Sequence, residues 1–177
     1  MKGQAMSNNK QQRVMTNVII LSDRLMGEAK KLSSFIYSCA DNMNVLGIAA
    51  NSQEVMQLAK NHFVDFLIIV GYLRDEKSYG VVQELYEQNK NYTPVHYAML
   101  DSLIFDLCEQ YNISLRFDRT LPKAEFIDYL EKYKNYKYQR DLKTQKKMTT
   151  SLKNKKPGNP WPGFFSKFLK LFLNFLP

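Results

Sequence analysis

The sequence predicts an α/β fold, a five-stranded parallel sheet doubly wound with helices on both faces. Short apolar runs alternate five times with helical patterns between Val18 and Lys134, the order of repeated βα units. One run, Phe66–Val70 (FLIIV), is apolar at every position, as a central parallel strand covered on both sides must be. Helix starts are marked where this alternation needs them, at Asn51 to Glu54 and at Pro122. Five such units are expected to give strand order 2-1-3-4-5.

Taken in order, Val18–Leu21 (VIIL) is the first strand, and it follows a polar segment, 1–16, expected to be flexible and without the apolar core of a signal peptide. From Arg24 to Ala40, apolar residues recur at Leu25, Ala29, Leu32, Ile36 and Cys39, the spacing of one helical face. Val45–Ala49 is the second strand. Asn51-Ser-Gln-Glu54 has the form of a capping box for a helix carrying Val55, Leu58 and Ala59. After the FLIIV strand, residues 79–89 form a third helix with Val81, Val82, Leu85 and Tyr86. Pro94–Met99 begins the fourth strand, Ser102–Tyr111 is the fourth helix, and Ser114–Phe117 is the fifth strand. Pro122 opens a fifth helix, because the first helical position has no intrahelical use for an N–H.

At 177 residues the chain fits one domain of about 120 residues with extensions. The domain is placed at 17–134, followed by a basic linker at 135–160 and an amphipathic helix at 161–177. Charge divides along the same line. Residues 132–177 carry twelve Lys and Arg against Asp141 alone, or +11, whereas residues 1–131 carry −3. Cys39 and Cys108 stand far apart in apolar helical settings and are expected to be reduced core residues.

The last seventeen residues read WPGFFSKFLKLFLNFLP. On a helix, Ser166, Lys167, Lys170 and Asn174 fall on one narrow side, and Phe164, Phe165, Phe168, Leu169, Leu171, Phe172, Leu173, Phe175 and Leu176 cover the rest. The segment is shorter than the roughly 20 apolar residues of a spanning helix, and its lysines would lie mid-span. A helix lying in the membrane interface is the expectation. Docking on the protein's own core or in a partner's groove are the alternatives. Phe164, Phe165, Phe168, Leu169, Phe172 and Phe175 would insert, with Trp161 at headgroup level. Lys146, Lys147, Lys153, Lys155, Lys156, Lys167 and Lys170 would meet anionic lipid. Between arm and tail, KNKKPGNP at 153–160 breaks any continuous helix. The same arm has a second reading. In YLEKYKNYKYQR (129–140), tyrosines interleaved with lysines suit nucleic acid, although Tyr129, Tyr133 and Tyr136 also sit at the spacing of one inner helix face.

From Asn17 to Lys134, element order and turn placement resemble a response-regulator receiver domain, a flavodoxin-like fold. The resemblance implies paired acids after the first strand, where Ser22-Asp23 leaves Asp23 alone. It implies a phosphoacceptor aspartate ending the third strand, where Val70 stands. It implies a hydroxyl residue ending the fourth strand, where Ala98 stands, and a lysine after the fifth, where Arg119 stands. Phosphoryl transfer needs a carboxylate nucleophile, Mg²⁺ held by oxygen ligands and a cation for the phosphate. Valine is no nucleophile and a lone carboxylate holds Mg²⁺ poorly, so Asp23 is read as an N-cap for the first helix. A pseudo-receiver is therefore expected, with no phosphorylation switch, metal or cofactor. In receivers the fourth helix, fifth strand and fifth helix often serve dimerisation or output, which would place a protein partner or second copy on Asp101–Tyr133.

Other chemistries find no support in the sequence. It contains no GxGxxG, P-loop or HExxH motif. His62 is expected to be solvated and His96 packed in its strand, and Ser22 and Ser102 have no glycine elbow or evident base. The expectation is a non-enzymatic adaptor or regulator, cytoplasmic and peripheral on the inner membrane face. The alternatives are a nucleic-acid-binding regulator using residues 132–156 and a membrane-active tail independent of the domain.

Overall fold

The computed structural model describes residues 15–153. Along them run β1 (Thr16–Leu21), α1 (Met26–Cys39), β2 (Met43–Ala49), α2 (Ser52–Ala59) and β3 (Phe66–Val70). A single 3-10 turn (Glu76–Gly80) leads into α3 (Val81–Gln88), followed by β4 (Thr93–Ala98), α4 (Ser102–Gln110), β5 (Leu115–Asp118) and α5 (Lys123–Lys153). The sheet is parallel throughout with the expected order β2-β1-β3-β4-β5. Every residue of β3 and β4 is buried, which explains why FLIIV shows no alternation: both its faces lie under helices. The core joins Ile19 and Leu21 of β1 with Leu67 and Ile69 of β3, and adds Val55, Val81, Leu85, Ile104 and Leu107 from the helices. At Gly47 a Cβ would lie 2.8 Å from Leu58 Cδ1, so α2 packs directly on the backbone of β2.

Capping residues act largely as read. Glu54 N–H donates to Asn51 Oδ1 at 3.0 Å, and the Glu54 carboxylate accepts from Ala50 N–H at 2.7 Å. The reciprocal bond therefore reaches one residue further back than a capping box formed within Asn51–Glu54. Asp101 caps α4 by accepting from Ile104 N–H at 3.0 Å.

Several expectations are corrected. Thr16 is already in β1, paired with Met43, so the strand starts inside the segment expected to be flexible. Helix α1 starts at Met26 and not Arg24, and at its end the C-cap residue Ala40 is buried whereas Cys39 is exposed. Cys108 is buried as expected. In α2 only Val55 is fully buried. The third helix opens as a 3-10 turn that buries Tyr79, while Tyr86, adjacent to buried Leu85, points to solvent at 48 % exposure.

The chain divides into two units, Met1–Glu131 with the sheet and Lys132–Pro177 with the later part of α5. In the first, Phe126, Ile127 and Leu130 are buried. In the second, no described side chain is buried, and residues 135–153 of the stretch read as a linker are helical. Tyr129, Tyr136 and Tyr138 are exposed at 39 %, 66 % and 58 %, so the inner-face reading of the tyrosine spacing fails at Tyr129 and Tyr136. Among the described residues no helix is long and apolar enough to cross a membrane. The interfacial helix at 161–177, with Trp161, Phe164, Phe165, Lys167, Phe168, Leu169, Lys170, Phe172 and Phe175, lies outside the described residues, as do Lys155 and Lys156.

Candidate functional site

In an open parallel sheet, ligand sites lie at the carboxyl ends of the strands, where loops rather than ladder bonds decide what the chain presents. β1 ends at Leu21, and the next residue, Ser22, is fully buried. Its backbone N–H donates to Ala49 O at 2.9 Å and its hydroxyl donates to Val70 O at 3.1 Å. The same oxygen accepts from Leu25 N–H at 3.0 Å. Ser22 thus ties the ends of β1, β2 and β3 together and starts α1. This arrangement corrects the reading of Asp23: the N-cap of α1 is Leu25, with no side-chain cap. Asp23 Oδ2 instead accepts the backbone N–H of Arg74 in the loop after β3. Arg24 crosses to the same loop, donating to Arg74 O at 3.3 Å. The second carboxylate oxygen, Asp23 Oδ1, is buried with no hydrogen-bond partner among the described residues.

Val70 closes β3, fully buried, and Gly71 follows at φ 73°. Gly71 N–H donates to Tyr97 O at 2.9 Å. A Cβ there would stand 2.5 Å from Leu25 Cδ1, so backbone angle and space both require glycine. Ala98, also buried, closes β4 opposite Asp118, and its carbonyl accepts from Arg119 N–H at 3.0 Å. Arg119 is half-exposed. Asp118 turns the chain by accepting from the backbone N–H and hydroxyl of Thr120, at 2.9 and 2.7 Å, which holds its carboxyl below the usual range. Asp23, Val70, Ala98 and Arg119 therefore all fall at the carboxyl edge of the sheet, after or at the ends of β1, β3, β4 and β5. Among the described residues no cluster of three or more His, Cys, Asp or Glu side chains has metal-ligand geometry.

Residues behind this edge were not singled out as a group from the sequence. Tyr72 donates its hydroxyl to Asp101. Burial and that bond push the phenol up to about 12, and the same bond holds the Asp101 carboxyl down. Tyr79 stacks between His96 and Tyr111, with ring centroids 5.9 and 5.3 Å away. Its oxygen accepts from Leu73 N–H and lies 3.3 Å from His96 Nε2. His96 is fully buried as expected, with Nδ1 unpartnered among the described residues, and burial lowers it to about 4, against the opposing charge of Asp101. A signal was present in the sequence, since TPVHYA places a histidine in a strand with no solvated face. Its partners come from distant loops that no local spacing announces. A cleft of about 390 Å³, lined by Lys60, His62, Phe63 and Asn89 among others, lies before β3 and β4, at the opposite edge of the sheet. His62 is exposed there, as expected.

No protein-family model matches this sequence, and no curated protein matches it. Solved structures do. The receiver domain of an HD-domain-containing protein from Pseudomonas fluorescens Pf-5 aligns with TM-score 0.57 at 11 % identity, covering 71 % of this chain and 98 % of that one. The response regulatory domain of mrkE from Klebsiella pneumoniae aligns at 0.55 and 14 %, covering 70 % and 99 %. CheY in its complex with CheX, beryllofluoride and Mg²⁺ from Borrelia burgdorferi aligns at 0.52 and 19 %, covering 65 % and 86 %. The chain has the CheY-like receiver fold.

Proposed function

We propose that this chain is a non-enzymatic regulator that acts through binding, a pseudo-receiver whose strand-end pocket takes up no phosphoryl group, held at the cytoplasmic face of a membrane. Buried Val70 carries the reading. If the receiver resemblance holds residue by residue, it stands where the phosphoacceptor carboxylate would stand, and an aliphatic side chain offers no oxygen to attack a phosphoryl donor. Asp23 is engaged with the Arg74 backbone, and Ala98 has no hydroxyl to bond a phosphoryl oxygen. The loops after β1 and β3 are joined directly by Ser22, Asp23 and Arg24.

A binding role draws support from the exposed apolar residues Leu100, Leu103, Phe105 and Leu121 around α4 and β5, which suit a protein partner or a second copy. Tethering rests on the sequence: a +9 arm at 132–160 leading to an apolar seventeen-residue segment that adds two lysines supplies the two signals that stable anchoring needs. The test is co-sedimentation with liposomes of graded anionic content, comparing the full chain with one ending at Lys156. The full chain is expected to sediment with anionic vesicles and the truncated chain to remain largely in solution. Equal recovery of both would remove the tail from the account.

A second reading is favoured by exposed Tyr136 and Tyr138 among the cations of α5: binding of nucleic acid through that arm. A DNA-binding response regulator of the LuxR family from Staphylococcus aureus shares the fold at TM-score 0.54. This reading predicts a mobility shift that falls steeply with salt and is lost on charge reversal at Lys143 and Lys147.

A further inference from the structure

Past Lys132, α5 is a polar helix without a buried side chain among those described, and helices in proteins draw most of their stability from packing one face against something. At about 100° per residue, Tyr136, Arg140, Lys143 and Lys147 fall within roughly a 60° arc and extend along about 17 Å. All four are exposed. Asp141, the only acid between Lys132 and Pro177, lies about 100° around the helix from Arg140. Its contact with Arg140 Nε, at 3.8 Å between two exposed side chains, is too loose and too wet to neutralise the face. The helix thus carries a row of three cations headed by a tyrosine along one edge.

We infer that this face of α5 lies on an anionic lipid surface, with Arg140, Lys143 and Lys147 over the headgroup charges and Tyr136 at headgroup depth. The inference rests on the membrane reading above and adds which side of the arm meets the bilayer. A second copy does not fit the face, because pairing in either direction sets cations against cations. A nucleic acid fits the charge but leaves the apolar sequence after Trp161 without a role. A bilayer uses both, since a row of cations suits a planar array of charge and the residues beyond it supply apolar area.

The experiment uses the full chain with vesicles of phosphatidylcholine alone or with phosphatidylserine. Lys143→Gln/Lys147→Gln is compared with Lys134→Gln/Lys137→Gln, which removes equal charge from the other side of the same helix. Helix content is checked by circular dichroism. The Lys143/Lys147 pair is expected to weaken binding to phosphatidylserine vesicles on the order of twentyfold, and the Lys134/Lys137 pair several times less. Equal losses would mean that only net charge is read and would overturn the inference while leaving membrane binding intact. Failure of the unaltered chain to sediment would sink the membrane reading itself. If the Lys143/Lys147 pair keeps vesicle binding but loses retention of single-stranded RNA, the face belongs to nucleic acid and the inference fails.

Discussion

At the scale of single residues, His96 is the side chain whose surroundings matter most to stability. It is buried beside Tyr79 and held to about 4 by desolvation, below its value of about 6.5 in an unfolded chain. Between those two values the unfolded state binds the proton that the folded state refuses. His96 therefore contributes full stability above about pH 6.5, and that contribution is lost as the pH falls toward 4, up to about 3 kcal/mol. Urea unfolding at pH 7.5 and 4.5 is expected to show this slope in the native chain and a shallower one in His96→Gln. Identical slopes would assign the acid sensitivity to the carboxylates instead. That Val70 closes β3 was legible because the FLIIV run can be counted to its end, whereas Ala98 and Arg119 were placed by the receiver resemblance. The bond of Asp23 to Arg74 was not legible, because it joins residues 51 positions apart.

At the scale of elements, agreement was best where a local rule acted alone. FLIIV declared a doubly covered strand, and Asn51 with Glu54 declared the start of α2. Replacing Asn51 with Ala removes the acceptor for Glu54 N–H and is expected to cost about 1 kcal/mol, read as a lower urea midpoint with unchanged slope. No change would mean that solvent caps the helix equally well. Boundaries failed where tertiary contacts took over. Tyr79 is drawn into the core by His96 and Tyr111, so the chain enters α3 through a 3-10 turn. Ala40, not Cys39, closes the inner face of α1 as the chain leaves the helix for β2. In α5 the buried face is formed by Phe126, Ile127 and Leu130, so periodicity alone misplaced Tyr129 and Tyr136 on an inner face.

At the scale of the molecule, a receiver fold is followed in the chain by a strongly basic segment, and the two parts carry opposite net charge. The first unit provides the sheet edge and the exposed apolar residues of α4, and the second a helix that is cationic along one edge. The central claim concerns the sheet edge, where receiver architecture is retained around an aliphatic residue at the end of β3. The most direct test is to incubate the full chain with acetyl phosphate and Mg²⁺ and follow it by intact mass and by amide NMR, repeating the titration with beryllofluoride. The account predicts no phosphoryl adduct and no saturable shifts at Asp23, Gly71, Ala98 or Arg119. A single hydroxylamine-labile phosphoryl adduct on a carboxylate, with shifts confined to those strand ends, would contradict it and restore a phosphorylation switch to this fold.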